Sequence, residues 1–337
     1  MKINIEQALR VIPTCIKSRL VPMLVGSPGI GKSHIAHQIA LENNLKVIDL
    51  RLAQCDPCDI LGFPNIVGDK AGYIPMETFP IEGDELPEGH SGWLLFLDEF
   101  NAAPPAVQSA SYKLVLDRMV GMHNLHSRVA IMCAGNLDTD GAIVQEMSTA
   151  LQSRLIHFEL TADPTTWLNW AMNNEIDHRI TDYIKFKPGD LYTFTPDHTD
   201  KTYACPRTWE FVSRLLPDMT EDDPDMLPIL SGTLSEGVAR EFVVFMKIYA
   251  SLPKLSEIQK DPQTVFIPKE PSILFALTGS LSHNMKADTA DQIMLYVSRL
   301  PVEFQVVTLR ETVRRNKEML THPAIQKWVN ESSAKLF

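Results

Sequence analysis

The sequence predicts an α/β fold, a parallel sheet covered by helices on both faces, followed by a helical region. Three observations predict it. Short continuous apolar runs alternate with helical patterns as far as Leu160, a glycine-rich turn joins the first of these runs to a helix, and strand signals fade beyond Leu160. At 337 residues the chain is too long for one ordinary core and suits two or three domains.

In chain order, Ile5 to Arg19 repeats apolar residues at helical spacing, interrupted by Pro13, and "VPMLVG" reads as a short buried strand. Further strands are read from "KVIDLRL" (Lys46 to Leu52), "GWLLFLDEF" (Gly92 to Phe100), "RVAIMCAGN" (Arg128 to Asn136) and "RLIHFEL" (Arg154 to Leu160). The connection from Ala53 to Ser91 is long and rich in Pro, Gly and acid, which predicts hairpin or loop insertions at the sheet edge. Helices are expected at "DPTTWLNWAMNN", with Asp163 as cap and Pro164 in the first turn, and at "IDHRITDYIKF", "PRTWEFVSRLL" and "SEGVAREFVVFMKIYASL". The Pro and Lys content of "PKLSEIQKDPQTVFIPKEP" reads as a linker before a helical tail from about Pro271 to Phe337.

The turn Gly26, Ser27, Pro28, Gly29, Ile30, Gly31, Lys32, Ser33, with His34 just beyond, has the spacing of a phosphate-binding loop. Glycines let successive backbone N–H groups curl around an anion, and the positive end of the following helix adds to the attraction. Lys32 would reach the outer phosphates and the Ser33 hydroxyl would take a place on Mg²⁺. Independently, "LLFLDEF" ends an apolar strand in two acids, at the sheet end where open α/β folds bind ligands. Asp98 can hold Mg²⁺ through its water shell, and Glu99 can orient or deprotonate the attacking water. Taken alone, such a pair serves equally well as a helix cap.

In this order the glycine turn, "LLFLDEFNAAPPAVQSASYKLVLDRMVG", "CAGN", "ALQSRL" and "CPRTWE" resemble the AAA+ ATPases, over about Ile5 to Leu252. The run "DEFNAAPP" is similar to the MoxR-related branch, of dynein-related AAA type. "MCAGNLDTDGAIVQEMSTALQSRL" is closer to a bacterial and phage subset than to MoxR proper. The resemblance implies a five-stranded parallel sheet in the order 5-1-4-3-2, with a nucleotide-binding domain over 1–160, a helical lid over 161–252 and a C-terminal helical extension over 253–337. It also implies ATP and Mg²⁺ as cofactors, and ATP hydrolysis in a homo-oligomeric, hexameric ring that remodels a protein client. By the same resemblance Asn136 is the first sensor, Arg154 the arginine finger acting on a neighbouring subunit, and Arg207 the second sensor on the lid. Arg118 and Arg128 rank behind Arg154 for the trans role. "RLAQCDPCDILGFP" (Arg51 to Pro64) would face the ring's centre or the client, and a von Willebrand factor A domain protein is the implied partner.

A net charge of −11 counts against general attraction to duplex nucleic acid, so a nucleic-acid motor or initiator is the alternative rather than the leading reading. Five scattered cysteines, with no basic and apolar leader before them, fit a reducing, cytoplasmic setting, and no apolar run is long enough for a membrane span. "CDPC" (Cys55, Cys58) reads as loop, with zinc the lesser alternative, because no second such pair exists. His123 and His126 read as loop histidines, Trp167, Trp170 and Trp209 as core, and "EDDPD" (Glu221 to Asp225) as a solvated loop.

Overall fold

A computed structural model describes residues 1–336 apart from 68, 142–143 and 220–222, so the first two residues of "EDDPD", Glu221 and Asp222, lie outside the described residues. The chain divides into two units, one of 1–166 with 194–198 and one of 167–193 with 199–337.

The first unit is built on strands β1 (Lys2–Ile3), β2 (Val21–Gly26), β3 (Lys46–Arg51), β6 (Trp93–Asp98), β9 (Val129–Gly135) and β10 (Leu155–Leu160), with hairpins β4 (Phe63–Val67) to β5 (Lys70–Ile74) and β7 (Met119–Val120) to β8 (His123–Asn124). The six-stranded sheet runs β1-β10-β2-β9-β6-β3, parallel throughout. Without β1 this is the predicted 5-1-4-3-2 order. The added edge strand pairs Lys2 with Glu159 and Ile3 with Leu160, and two residues are too few to show a sequence pattern.

Helices cover both faces. Met23, Leu95, Leu97, Ile131 and Cys133 share a core with Val107, Ala110 and Leu114 of α4 (Pro105–Leu116). The alternate residues Leu24, Leu94, Phe96, Met132 and Ala134 are equally buried, on strands that pack against α1 (Ile5–Lys17) and α2 (Lys32–Glu42). Burial on both faces explains why these strands read as unbroken apolar runs. Contrary to the expected interruption, α1 passes straight through Pro13. Asn4 secures its start, its side chain accepting from Gln7 N at 2.9 Å while the Gln7 side chain accepts from Asn4 N at 3.0 Å. The insertion between β3 and β6 contains the short helix α3 (Pro57–Leu61) and the β4–β5 hairpin, as the Pro- and Gly-rich composition predicts.

After α5 (Thr149–Gln152) and α6 (Pro164–Asn173), whose start is capped by Asp163 accepting from Thr166 N at 2.8 Å, the second unit is helical. It comprises α7 (His178–Phe186), α8 (Pro206–Leu215), α9 (Met226–Leu234), α10 (Glu236–Ala250), α11 (Leu255–Lys260), α12 (Pro271–Asn284), α13 (Ala290–Val297), α14 (Val302–Arg315) and α15 (Pro323–Leu336). One core runs from Trp167 to Ile325 and includes Trp209, Phe242, Leu277 and Tyr296, with Trp170 packed against it. The Pro- and Lys-rich stretch before α12 is tied to α13: the Tyr296 hydroxyl donates to Phe266 O at 2.7 Å, and Arg299, just past α13, donates to Val265 O at 3.0 Å. None of the helices among the described residues is long and apolar enough to cross a membrane.

A charged cluster lies inside this unit. Fully buried Asp182 sits 3.4 Å from Lys185 and 3.5 Å from Arg315, and Lys185 reaches Glu311 at 2.8 Å. A Cβ at Gly279 would overlap the Asp182 carboxylate, so only glycine lets α12 pass over it. Beside it the rings of His178 and His283 stack at 4.2 Å. Desolvation, then the charges of His178 and Arg315, push His283 from 6.5 down to about 4. An unfolded histidine takes its proton near 6.5 and the folded one only near 4, so the unfolded chain binds more protons between these values. Stability is therefore complete above about 6.5 and falls as pH drops toward 4. The melting temperature is expected to fall between pH 7 and pH 5, and to fall less in His283→Gln; equal falls would contradict this.

Candidate functional site

The site grows from the carboxyl ends of β2, β6 and β9. Register sets Val25 beside Gly135 and Leu97 beside Cys133, so Gly26, Asp98 and Asn136 emerge next to one another on three adjacent strands. Between β2 and α2 the chain must turn sharply. Gly29 and Gly31 take φ +76° and +100°, the left-handed region that favours glycine. Gly26 is required for another reason: a Cβ there would lie 2.6 Å from Ile30 Cδ1 and 3.0 Å from Leu160 O. Ile30 is buried and anchors the turn from below, while His34 is exposed on the first turn of α2.

Lys32 is 9% exposed, and its ammonium donates to Gly26 O at 2.5 Å, Ser27 O at 3.1 Å and Asn136 Oδ1 at 3.0 Å. The ammonium is thus held between the turn and the end of β9. Ser33 Oγ donates to Asp98 Oδ2 at 3.1 Å, and Asp98 Oδ1 accepts from Glu99 N at 2.8 Å. Glu99 itself sits at φ +54°, a strained conformation for a glutamate, which costs about 1–3 kcal/mol and is typical of residues whose direction matters. Next to them Asp49 of β3, two residues before the Arg51 that pairs with Asp98, has its carboxyl pushed up by desolvation and then by the Asp98 charge. The Ser33 hydroxyl and the Asp98 carboxylate, brought together here, are the hard oxygen donors that suit Mg²⁺.

Two residues of this arrangement were not assigned from the sequence. Asp49 is one. The other is Asn101, 5% exposed, whose Nδ2 donates to Asn136 O at 2.7 Å while its Oδ1 accepts from Asn136 N at 3.0 Å. One carboxamide thus grips both backbone groups of Asn136, and Asn101 O accepts from Gln145 N at 2.6 Å. A Cβ at Gly135 would overlap Asn101 Oδ1, so "CAGN" needs its glycine for this grip. The signal was in "DEFN", three residues past the first acid, but nothing in its spacing pointed to a role.

Of the remaining sequence candidates, the arginines of the first unit stand away from the glycine turn. Arg154 is exposed just before β10 and donates to Ala150 O at 2.7 Å. Leu155 pairs with Val21 and Leu160 with Gly26, which sets Arg154 a strand length, about 20 Å, from the glycine turn of its own chain. Arg118 and Arg128 also stand at the amino ends of strands. Arg207 is exposed in the first turn of α8, in the second unit. Cys55 and Cys58 are free thiols flanking the Asp56 cap of α3, and no metal-binding group of three or more His, Cys, Asp or Glu occurs among the described residues. His123 contacts Tyr73 O at 3.1 Å and His126 packs edge-on against Trp93, so both tie loops to the unit.

No family model matches the chain, and no curated protein matches it. Solved structures do. The RuvB Holliday junction branch migration motor of Thermotoga maritima is 17% identical over 86% of each chain, with a TM-score of 0.37. NtrX of Brucella abortus in complex with ATP is 15% identical over 97% of this chain and 67% of its own, with a TM-score of 0.41.

Proposed function

We propose that the protein is an ATPase of the AAA+ class that hydrolyses ATP at the interface between copies of itself. The observation that carries this reading is the meeting of Lys32, Ser33, Asp98 and Asn136 at the mouth of a glycine turn. The turn and the start of α2 offer backbone N–H groups and a positive helix end to the phosphates, and Lys32 offers its charge. Ser33 and Asp98 would hold Mg²⁺, which when bound offsets charge on the phosphate oxygens. Glu99, on its strained turn, orients the attacking water and accepts its proton. Asn136 fixes the water and the terminal phosphate together, and Arg154 serves the neighbouring copy.

Calorimetry is the direct test. ATP should bind the wild type in the presence of Mg²⁺, and Lys32→Ala should weaken that binding by about 10- to 100-fold, the loss of one charge-assisted contact. Wild type without heat of binding would end the reading. Asn101→Ala leaves two backbone groups of Asn136 unpaired, at a cost of about 1–3 kcal/mol each, and lets its side chain wander. Turnover should fall about 10-fold or more with ATP affinity changed less than about threefold; an equal loss in both would make Asn101 merely structural.

A protein client is favoured by the β4–β5 hairpin, whose Phe63, Ile66 and Ile74 are 60%, 79% and 53% exposed, an apolar display of the kind that marks protein contacts. The hexameric ring and, through "CPRTWE", the lid role of Arg207 are proposed on the AAA+ resemblance, and the von Willebrand factor A partner on the MoxR-like "DEFNAAPP" run.

A further inference from the structure

The sheet has a second cavity at its other end. It holds about 280 Å³ and opens where β2, β3, β6 and β9 begin, next to the end of α1. Four cationic side chains, Lys17, Arg19, Arg118 and Arg128, line it, and no carboxylate does. None of the four takes part in an ion pair among the described residues. Arg118 is the innermost, with Nη2 donating to Val129 O, and both burial and the nearby Arg19 charge disfavour its charged form. Arg118 is half-buried while Lys17, Arg19 and Arg128 reach solvent, so on a chain of net charge −11 this cavity gathers positive charge from several sides, where an anion would be attracted. The rest of the wall is mixed: Asn43, Ser91 and Ser127 stand beside apolar residues such as Pro13 and Ile16.

We infer that this cavity is an anion site for a small organic phosphate. Guanidinium groups match phosphate oxygens two at a time, and four cations around one cavity suit a doubly charged group better than a single carboxylate. The volume lies just below the usual range for small-molecule sites and takes a phosphate group with part of its carbon body, which would lie against Pro13 and Ile16. The site lies about 20 Å from the glycine turn, at the opposite end of the strands, and the inference stands independently of ATP hydrolysis.

The test uses the full chain carrying Lys32→Ala, with inorganic pyrophosphate and ADP as probes at low salt. Both should bind, ADP more tightly, and Lys17→Glu with Arg19→Glu should weaken each by about tenfold or more while the melting temperature holds. Hydrogen exchange should slow over Ser127 to Ile131. Absence of binding, binding indifferent to the charge reversals, or protection confined to Gly26 to Ser33 would overturn the inference. So would displacement of pyrophosphate by a heptaglutamate peptide at lower concentration than ADP, which would make the surface a protein contact.

Discussion

Arg154→Ala is expected to lower ATP turnover by about 10³- to 10⁵-fold, the range for a guanidinium that offsets charge growing on a transferred phosphoryl group, with ATP binding little changed. The expectation rests on where the residue stands. Its side chain is exposed and donates to the Ala150 carbonyl, and the β2–β10 register keeps it about 20 Å from the glycine turn of its own chain. An arginine reaches about a third of that, so any phosphate it touches belongs to another copy. Arg154→Ala and Lys32→Ala proteins, each inactive alone, should recover turnover when mixed, because some interfaces then join an intact Lys32 to an intact Arg154. Full activity in Arg154→Ala, or no recovery on mixing, would remove the trans assignment.

Glu99→Gln is expected to lower turnover by about 10²- to 10⁴-fold, the contribution of a positioned general base, while ATP binding and assembly persist. Glutamine keeps the size and a hydrogen-bonding oxygen but cannot take the proton. The turn that holds Glu99 at φ +54°, with its N–H fixed on Asp98 Oδ1, does not depend on the side chain's charge, so the variant should fold as the wild type does. A variant that turns over ATP at the wild-type rate would place the base elsewhere. Phosphate release under saturating ATP, read beside nucleotide binding, separates the two effects.

The five buried strands were legible because they announce themselves as apolar runs and the glycine turn marks the first of them, while their order followed from the AAA+ resemblance. β1 was not legible, since Lys2 and Ile3 owe their strand geometry to the edge of β10 and to no pattern of their own. Pro13 misled in the opposite direction: a proline inside a helix removes one hydrogen bond, and packing of α1 on the sheet outweighs that loss. At the site, Lys32, Ser33, Asp98 and Asn136 were readable because their chemistry lies in short local motifs. Asp49 and Asn101 were not, because each acquires its meaning from a neighbour far along the chain, Asp98 for one and Asn136 for the other. Loop composition likewise announced the β4–β5 hairpin but not which of its side chains would stay in water.

The pairing of Leu155 with Val21 and of Leu160 with Gly26 has a kinetic meaning. With Arg154 acting on a neighbouring copy, as proposed, an isolated subunit would hold only half of the machinery, and rate per milligram would not be a constant of the preparation. It should rise steeply with protein concentration in the range where subunits meet, then level off. Assays run well below that range would report a nearly silent enzyme from fully folded protein.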